Sequence, residues 1–287
     1  MNAPMTAPDS APLSVTFTRE SGSMPALGFG TSPMTGGLSA DTVLAALKTG
    51  YRHIDTARKY GTEPAVGEAM RASGLKREDI FLTTKVSHEN LRPADFARSV
   101  DESLAALEVD YVDLLLIHWP NPQIPLREAI PALAKAKRDG LARHIGVANF
   151  NIALLDEAVA LCPEPIVALQ AEYHPYLDQT KLLAAVRRHG LAFVAYCPLG
   201  RGRLFGDPVL EEIAQAHGRN VAQVALRWLL QQGIAPIPFS SKPERIADNF
   251  NVFDFTLSDD EMARIGMLKR ADGRVANPVG RVPGGWD

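Results

Sequence analysis

The sequence predicts an α/β fold, a single (β/α)8 TIM barrel preceded by a β-hairpin and followed by extra helices and loops near the C-terminus. Three observations carry this expectation. From Leu27 onward, short apolar runs alternate with amphipathic helical stretches, and eight runs finish near Thr31, Asp55, Lys85, His118, Ala148, Gln170, Tyr196 and Pro238. Four helical stretches close on a glycine just before the next strand begins, at Gly50, Gly140, Gly190 and Gly233; glycine lets the chain reverse through a left-handed cap. The length of 287 residues fits a barrel of roughly 250 residues with additions at both ends.

An open doubly wound sheet would carry a glycine-rich phosphate turn after its first strand, and the nearest matches fail. Gly28 and Gly30 are followed by Pro33 where a third glycine belongs, and Gly200 and Gly202 by Phe205. A nucleotide bound here would not bind in the Rossmann manner.

In chain order, residues 1–12, MNAPMTAPDSAP, are rich in Ala, Pro and small polar residues. They have neither the basic start nor the apolar centre of a signal peptide and read as a disordered tail. Residues 13–287 form one barrel domain. Residues 13–18 alternate at period two ahead of a Ser-Gly-Ser turn, giving a hairpin that plugs or caps the barrel. Helical spacing follows at Phe96, Val100, Leu104 and Leu107, at Leu126, Ile130 and Leu133, and at Ile152, Leu155 and Val159. Pro243 opens a further helix, and Ser258 with Glu261 is a capping box for another whose inner stripe is Met262, Ile265 and Leu268. Residues 271–287 are loop-like, with Trp286 expected over the barrel mouth.

Bulk properties exclude several function classes. A formal net charge of -3 with 22% charged residues gives neither a basic nucleic-acid footprint nor an acidic tail. No apolar run approaches the roughly 20 residues of a membrane span. Cys162 and Cys197 lack metal-ligand spacing and are too few for a disulfide framework, which suits a reduced, cytoplasmic setting. The seven histidines are scattered without an HExxH cluster, so no metal is expected.

The chemistry gathers at strand ends. In residues 51–60, YRHIDTARKY, a strand runs into Asp55, with Tyr60 five residues on; later strands end in Lys85 and in His118. Barrels keep their chemistry at these ends. A free tyrosine, with a pKa of about 10, is a poor acid for an alkoxide unless a cation stabilises its phenolate. Lys85 beside Tyr60 would favour the ionised phenol, Asp55 would keep Lys85 charged, and a neutral His118 would orient a carbonyl oxygen. Hydride itself needs a cofactor. Taken singly, each residue has a plainer role: a helix cap, a solvated lysine, a core histidine.

The four together, in this order and at these strand ends, resemble the aldo-keto reductase family from about Leu13 onward. The resemblance implies reduction of aldehydes and ketones, with Asp55, Tyr60, Lys85 and His118 catalytic and Tyr60 the general acid. Gly30 and Thr31 end the first strand on the cofactor side. GVANFN is similar to the family's GVSNFN, so Asn149, with Gln170, would hold the nicotinamide amide, although Ala148 replaces the usual serine. AYCPLGRG is similar to AYSPLG, giving Tyr196 as the stacking ring and Pro198, Leu199, Gly200 and Gly202 as the loop over the pyrophosphate; Cys197, in a serine position, reads as small filler. IPFSSKPERIADN resembles the adenosine-phosphate site, with Ser240, Ser241, Arg245 and Asn249 matching. Phe239 stands where the family has its phosphate-binding lysine. Arg245 pairs a 2'-phosphate in this reading, and Lys242 either restores the lost charge or is a surface lysine with no role. NADPH is the expected cofactor, with NADH use left open.

At the substrate pocket, Ser32 and Ser87 replace aromatic residues common in relatives, and Trp119 remains as an apolar wall. The resemblance is nearest to the bacterial 2,5-diketo-D-gluconate reductase B type, implying dicarbonyls, keto esters or keto sugars as the small-molecule partner. A monomer is the default. Two other readings stay open: a Schiff-base lyase using Lys85, and a non-enzymatic nicotinamide-sensing partner protein on the same fold.

Overall fold

The computed structural model describes residues 14–32, 37–278 and 280–287. The expected tail, residues 1–12, lies outside them. Strands β1 (Ser14–Thr16) and β2 (Ser23–Pro25) form the antiparallel hairpin, with Val15 opposite Met24. Then come β3 (Gly28–Gly30), β4 (His53–Asp55), β5 (Phe81–Val86), β6 (Val112–Ile117), β7 (Ala142–Ala148), β8 (Ile166–Glu172), β9 (Ala192–Tyr196) and β10 (Ala235–Pro236). These eight strands make one parallel sheet in sequence order.

The ring closes between its first and last strands, where the Gly30 N–H donates to the Pro238 carbonyl at 3.0 Å. Glycine is needed at this seam. A Cβ on Gly30 would stand 2.8 Å from the Ile237 carbonyl oxygen, and one on Gly28 would stand 2.7 Å from the His53 ring. The two glycines that failed as a nucleotide fingerprint therefore serve barrel closure.

Side-chain alternation sorts two apolar layers. Leu114 and Leu116 of β6 point into the barrel, with Ala148, Val167, Val194 and Ile237, while Leu115 and Ile117 face the helices. Phe17 and Met24 from the hairpin join the inner cluster, so the hairpin plugs one end as expected and leaves the other open.

The helices are α1 (Ala40–Thr49), α2 (Glu63–Ala72), α3 (Pro93–Leu107), α4 (Leu126–Arg138), α5 (Ile152–Leu161), α6 (Thr180–Arg188), α7 (Pro208–Ala216), α8 (Val221–Gln231), α9 (Pro243–Phe250) and α10 (Asp259–Gly266). The four cap glycines have φ between 63° and 124°. The Ser258–Glu261 capping box forms at the start of α10, but the helix stops before Leu268, which packs from beyond its end. Strand ends differ by up to two residues from expectation. β5 passes Lys85 and β8 passes Gln170, because both side chains are partnered inside the barrel and do not end the ladder. Among the described residues, no helix is long and apolar enough to cross a membrane.

Candidate active site

Asp55 ends β4, and the chain then coils through a 3-10 turn, Arg58–Tyr60, which Gly61 closes at φ 68° before α2 starts. Lys85 lies near the end of β5 and His118 directly follows β6. Register aligns Asp55 with Thr83 and Lys85 with Leu116, bringing the three strand ends to the open face. The Lys85 Nζ, fully buried, donates to Asp55 Oδ1 at 2.5 Å and to the Thr56 carbonyl at 2.8 Å. Asp55 Oδ2 accepts from Gln170 Nε2 at 2.8 Å. Lys85 Nζ stands 5.1 Å from the centre of the Tyr60 ring. The Tyr60 hydroxyl meets His118 Nε2 at 3.4 Å, the two rings nearly perpendicular at 83°.

Burial and charge set the protonation states. Burial alone would push Lys85 down, but Asp55 and Tyr60 beside it carry its pKa above the ordinary lysine value, so the ammonium persists. Burial also raises the Tyr60 phenol, and Lys85 offsets only part of that rise. The expected pull of Lys85 toward the ionised phenol is present but outweighed by burial, so in the free site Tyr60 keeps the proton that a general acid needs. Burial, helped by Lys85 and Arg281, holds His118 well below the ordinary histidine range, so its ring is neutral.

Above these groups opens a cavity of about 460 Å³. Of the residues expected at the site, Gly30, Thr31, Ser32, Asp55, Tyr60, His118, Trp119, Asn149, Gln170, Tyr196, Pro198, Leu199 and Phe239 line it. Lys85 sits beneath its floor. Ser87 is not part of the wall; its hydroxyl donates to Glu89. Trp119 is a wall, as expected, and meets Trp286 edge-on with ring centres 6.0 Å apart.

Asn149 adopts φ 62°, which turns its amide across the mouth: Nδ2 donates to the His118 carbonyl at 2.9 Å and Oδ1 accepts from the Tyr196 hydroxyl at 2.8 Å. Two carboxamides and an aromatic ring thus line the cavity together with Thr31, whose hydroxyl bonds to that of Thr62. That donor set fits a flat aromatic carboxamide such as nicotinamide. Ala148 is fully buried in the inner core, where its methyl needs no partner.

Gly200, Gly202, Ser240, Ser241, Lys242, Arg245 and Asn249 do not line the cavity. Ser240–Lys242 lead into α9, whose positive end they flank. Lys242 and Arg245 are exposed and, among the described residues, carry no ion pair. Phe239 packs on Phe29 with ring centres 6.1 Å apart, filling with apolar bulk the place of the expected charge. Sequence reasoning missed Arg201, Ile237, Pro238 and Ala276, all in the wall, and Cys197, read as filler, is only half-buried and lines the cavity with them. Arg201 had a faint signal, a non-glycine at φ 54° between two glycines; Ala276 had none.

The Aldo/keto reductase family pattern matches residues 26–270. The chain is 39% identical over 267 residues to the Methylglyoxal reductase DkgB of Escherichia coli O157:H7, covering 92% of this chain and 99% of that protein. It is 42% identical to the Morphine 6-dehydrogenase of Pseudomonas putida, covering 85% and 88%. The crystal structure of a putative 2,5-diketo-D-gluconic acid reductase B superimposes with a TM-score of 0.90 at 45% identity, over 96% of this chain and 98% of that one.

Proposed function

The chain belongs to the aldo/keto reductase family and is an oxidoreductase, and from that premise we propose that it reduces small aldehydes and ketones to alcohols with NADPH, Tyr60 acting as general acid. The observation that carries this reading is the buried Lys85–Asp55 pair beneath a protonated Tyr60 that faces a neutral His118. A carbonyl oxygen between Tyr60 and His118 receives a hydrogen bond from each. When bound, the cofactor supplies the hydride taken up by the carbonyl carbon. Tyr60 then gives its proton to the oxygen, and the Lys85 ammonium stabilises the phenolate left behind. Asp55 keeps that ammonium charged within a fully buried site. His118, neutral at the start, neither competes for the proton nor repels Lys85.

Asn149, Gln170 and Tyr196 would hold the nicotinamide, and Lys242 with Arg245 would meet a 2'-phosphate in place of the lysine that Phe239 replaces. NADH use therefore accompanies NADPH use in this reading. The names methylglyoxal reductase and 2,5-diketo-D-gluconic acid reductase, though not Morphine 6-dehydrogenase, support dicarbonyls, keto esters or keto sugars as substrates. The Schiff-base alternative fails because Lys85 is charged and sealed beneath the cavity floor. The free thiols of Cys162 and Cys197 suit the cytoplasm, and the reading takes the protein as a monomer.

The deciding experiment follows carbonyl-dependent oxidation of NADPH, with NADH alongside, against dicarbonyls, keto esters and aromatic aldehydes. Turnover supports the proposal and the cofactor ratio reports on Lys242 and Arg245. Tight cofactor binding with no turnover would replace it with the sensing role.

A further inference from the structure

Residues 270–287 cross the open face as a strap without helix or strand, and among its described residues only Gly273 and Val282 are buried. Little apolar area holds it, so its polar attachments decide where it lies. At its start the Arg270 N–H donates to the Tyr176 carbonyl at 2.9 Å, and the backbone presses so close that a Cβ on Gly273 would fall 1.9 Å from that same oxygen. At its end Asn151 Nδ2 donates to the carbonyls of Pro283 and Gly285, each at 2.9 Å, and Asp287 accepts from the Ile152 N–H at 2.8 Å. Between these points, Trp286 meets Trp119 and Ala276 forms part of the cavity wall.

The central attachment differs in kind. Glu172, at the end of β8 and wholly buried, accepts from the Val275 N–H at 2.6 Å, the Ala276 N–H at 2.7 Å and His174 Nε2 at 3.0 Å. Those bonds keep its carboxylate ionised against the cost of burial. Arg274 lies in the same strap, its guanidinium 3.7 Å over the Trp286 ring and drawn by the Glu172 charge, although its buried Nη1 has no hydrogen-bond partner.

We propose that Glu172 is a positioning residue that sets substrate specificity, by clamping the strap so that Ala276 completes the cavity wall and Trp286 is held behind Trp119, which lines it. The inference rests on the carbonyl-reductase reading. Glu172 touches neither the cavity nor the reacting groups; it acts through the strap.

The test uses the full chain carrying Glu172→Gln and, separately, Val275→Pro, which deletes an N–H donated to the same carboxylate from a residue outside the cavity wall. Loss of a charge-assisted hydrogen bond is expected to raise KM for 4-nitrobenzaldehyde about tenfold in each variant. In Glu172→Gln, kcat for methylglyoxal, too small to need the wall, stays within about twofold. Quenching of tryptophan fluorescence by acrylamide rises in both variants as Trp119 and Trp286 part. An even loss of activity on both substrates, or wild-type KM and quenching in either folded variant, would overturn the proposal. Should Glu172→Gln not fold, Val275→Pro decides alone. If the wild type reduces neither aldehyde, the reductase reading falls, while the quenching comparison still decides the clamp.

Discussion

Asp55→Asn tests the ion pair on which the site depends. Asp55 and Lys85 are 2% and 0% exposed, and the other groups on the Lys85 nitrogen, the Thr56 carbonyl and the Tyr60 hydroxyl, are neutral. Asparagine keeps the shape but offers one amide oxygen where the carboxylate served both Lys85 and Gln170. Breaking a buried pair costs about 3–5 kcal/mol, and the retained oxygen places this variant near the lower end. A loss of about 3 kcal/mol lowers the thermal midpoint of a large domain by roughly 6–12 °C. The pH dependence carries a sign of its own. In the wild type Lys85 has a pKa above its ordinary 10.5, so its stabilisation is fully present below that value and is lost as pH rises through the folded one. Without Asp55, burial is opposed by Tyr60 alone and the folded pKa drops, so holding the charge costs stability at neutral pH and the cost fades as pH rises. The gap between the proteins is therefore widest near pH 7 and narrows at alkaline pH. Urea unfolding midpoints at pH 7 and pH 10 measure it. A wild-type midpoint at pH 7, or a gap independent of pH, would refute the reasoning.

Tyr60→Phe is expected to lower kcat by about 10²–10⁴ while leaving NADPH affinity, followed by fluorescence, nearly unchanged; full activity removes Tyr60 from the mechanism. Lys242→Ala should raise KM for NADPH about tenfold with little effect on that for NADH, and equal effects would show that Lys242 does not meet the 2'-phosphate. Gly30→Ala places a methyl 2.8 Å from the Ile237 carbonyl, an overpacking cost of about 1–3 kcal/mol visible as a lower thermal midpoint; an unchanged midpoint would argue that the seam has slack. Burial lowers His53 to about 4, so the unfolded chain binds that proton first and stability falls as pH drops below about 6.5. His53→Gln should flatten that decline in urea midpoints between pH 7 and 4.5, and an identical slope would acquit His53.

Strand ends and helix caps were legible because each leaves a local mark: a cap glycine, a capping box, or an apolar run closing on a polar residue. The four proposed catalytic positions were legible for a similar reason, three lying within one residue of a strand end and Tyr60 one 3-10 turn beyond. What escaped depends on partners far away in the chain. Glu172 meets Val275 and Ala276 across more than a hundred positions, and no periodicity signals such a contact. Ser87 shows the opposite failure. It sits two residues past Lys85, but its hydroxyl bonds the neighbouring Glu89 and the side chain leaves the cavity. The protonation of Tyr60 needed the degree of burial, which sequence does not supply: proximity to Lys85 gave the right sign for one influence and missed the larger one.

Barrel closure and the proposed catalytic site share residues. Gly30 pairs in register with Asp55, the Thr31 N–H donates to the Asp55 carbonyl at 2.9 Å, and Gly30 itself bonds across the seam to Pro238. The strand that shuts the ring is therefore the strand against which the proposed catalytic carboxylate is set. At the opposite end Phe17 and Met24 fill the interior, so the ion pair is dry from below as well as from the side. A dry site is what makes Asp55 able to hold Lys85 charged and Lys85 able to stabilise a phenolate, since both effects weaken as water enters. It follows that Gly30→Ala, by displacing the strand beside Asp55, should depress kcat further than its loss of stability alone accounts for. Conversely, a substitution of equal stability cost on the outer helical layer, such as Leu155→Ala on α5, should leave kcat near the wild-type value at temperatures where both variants remain folded. Equal kcat in the two would separate the seam from the chemistry.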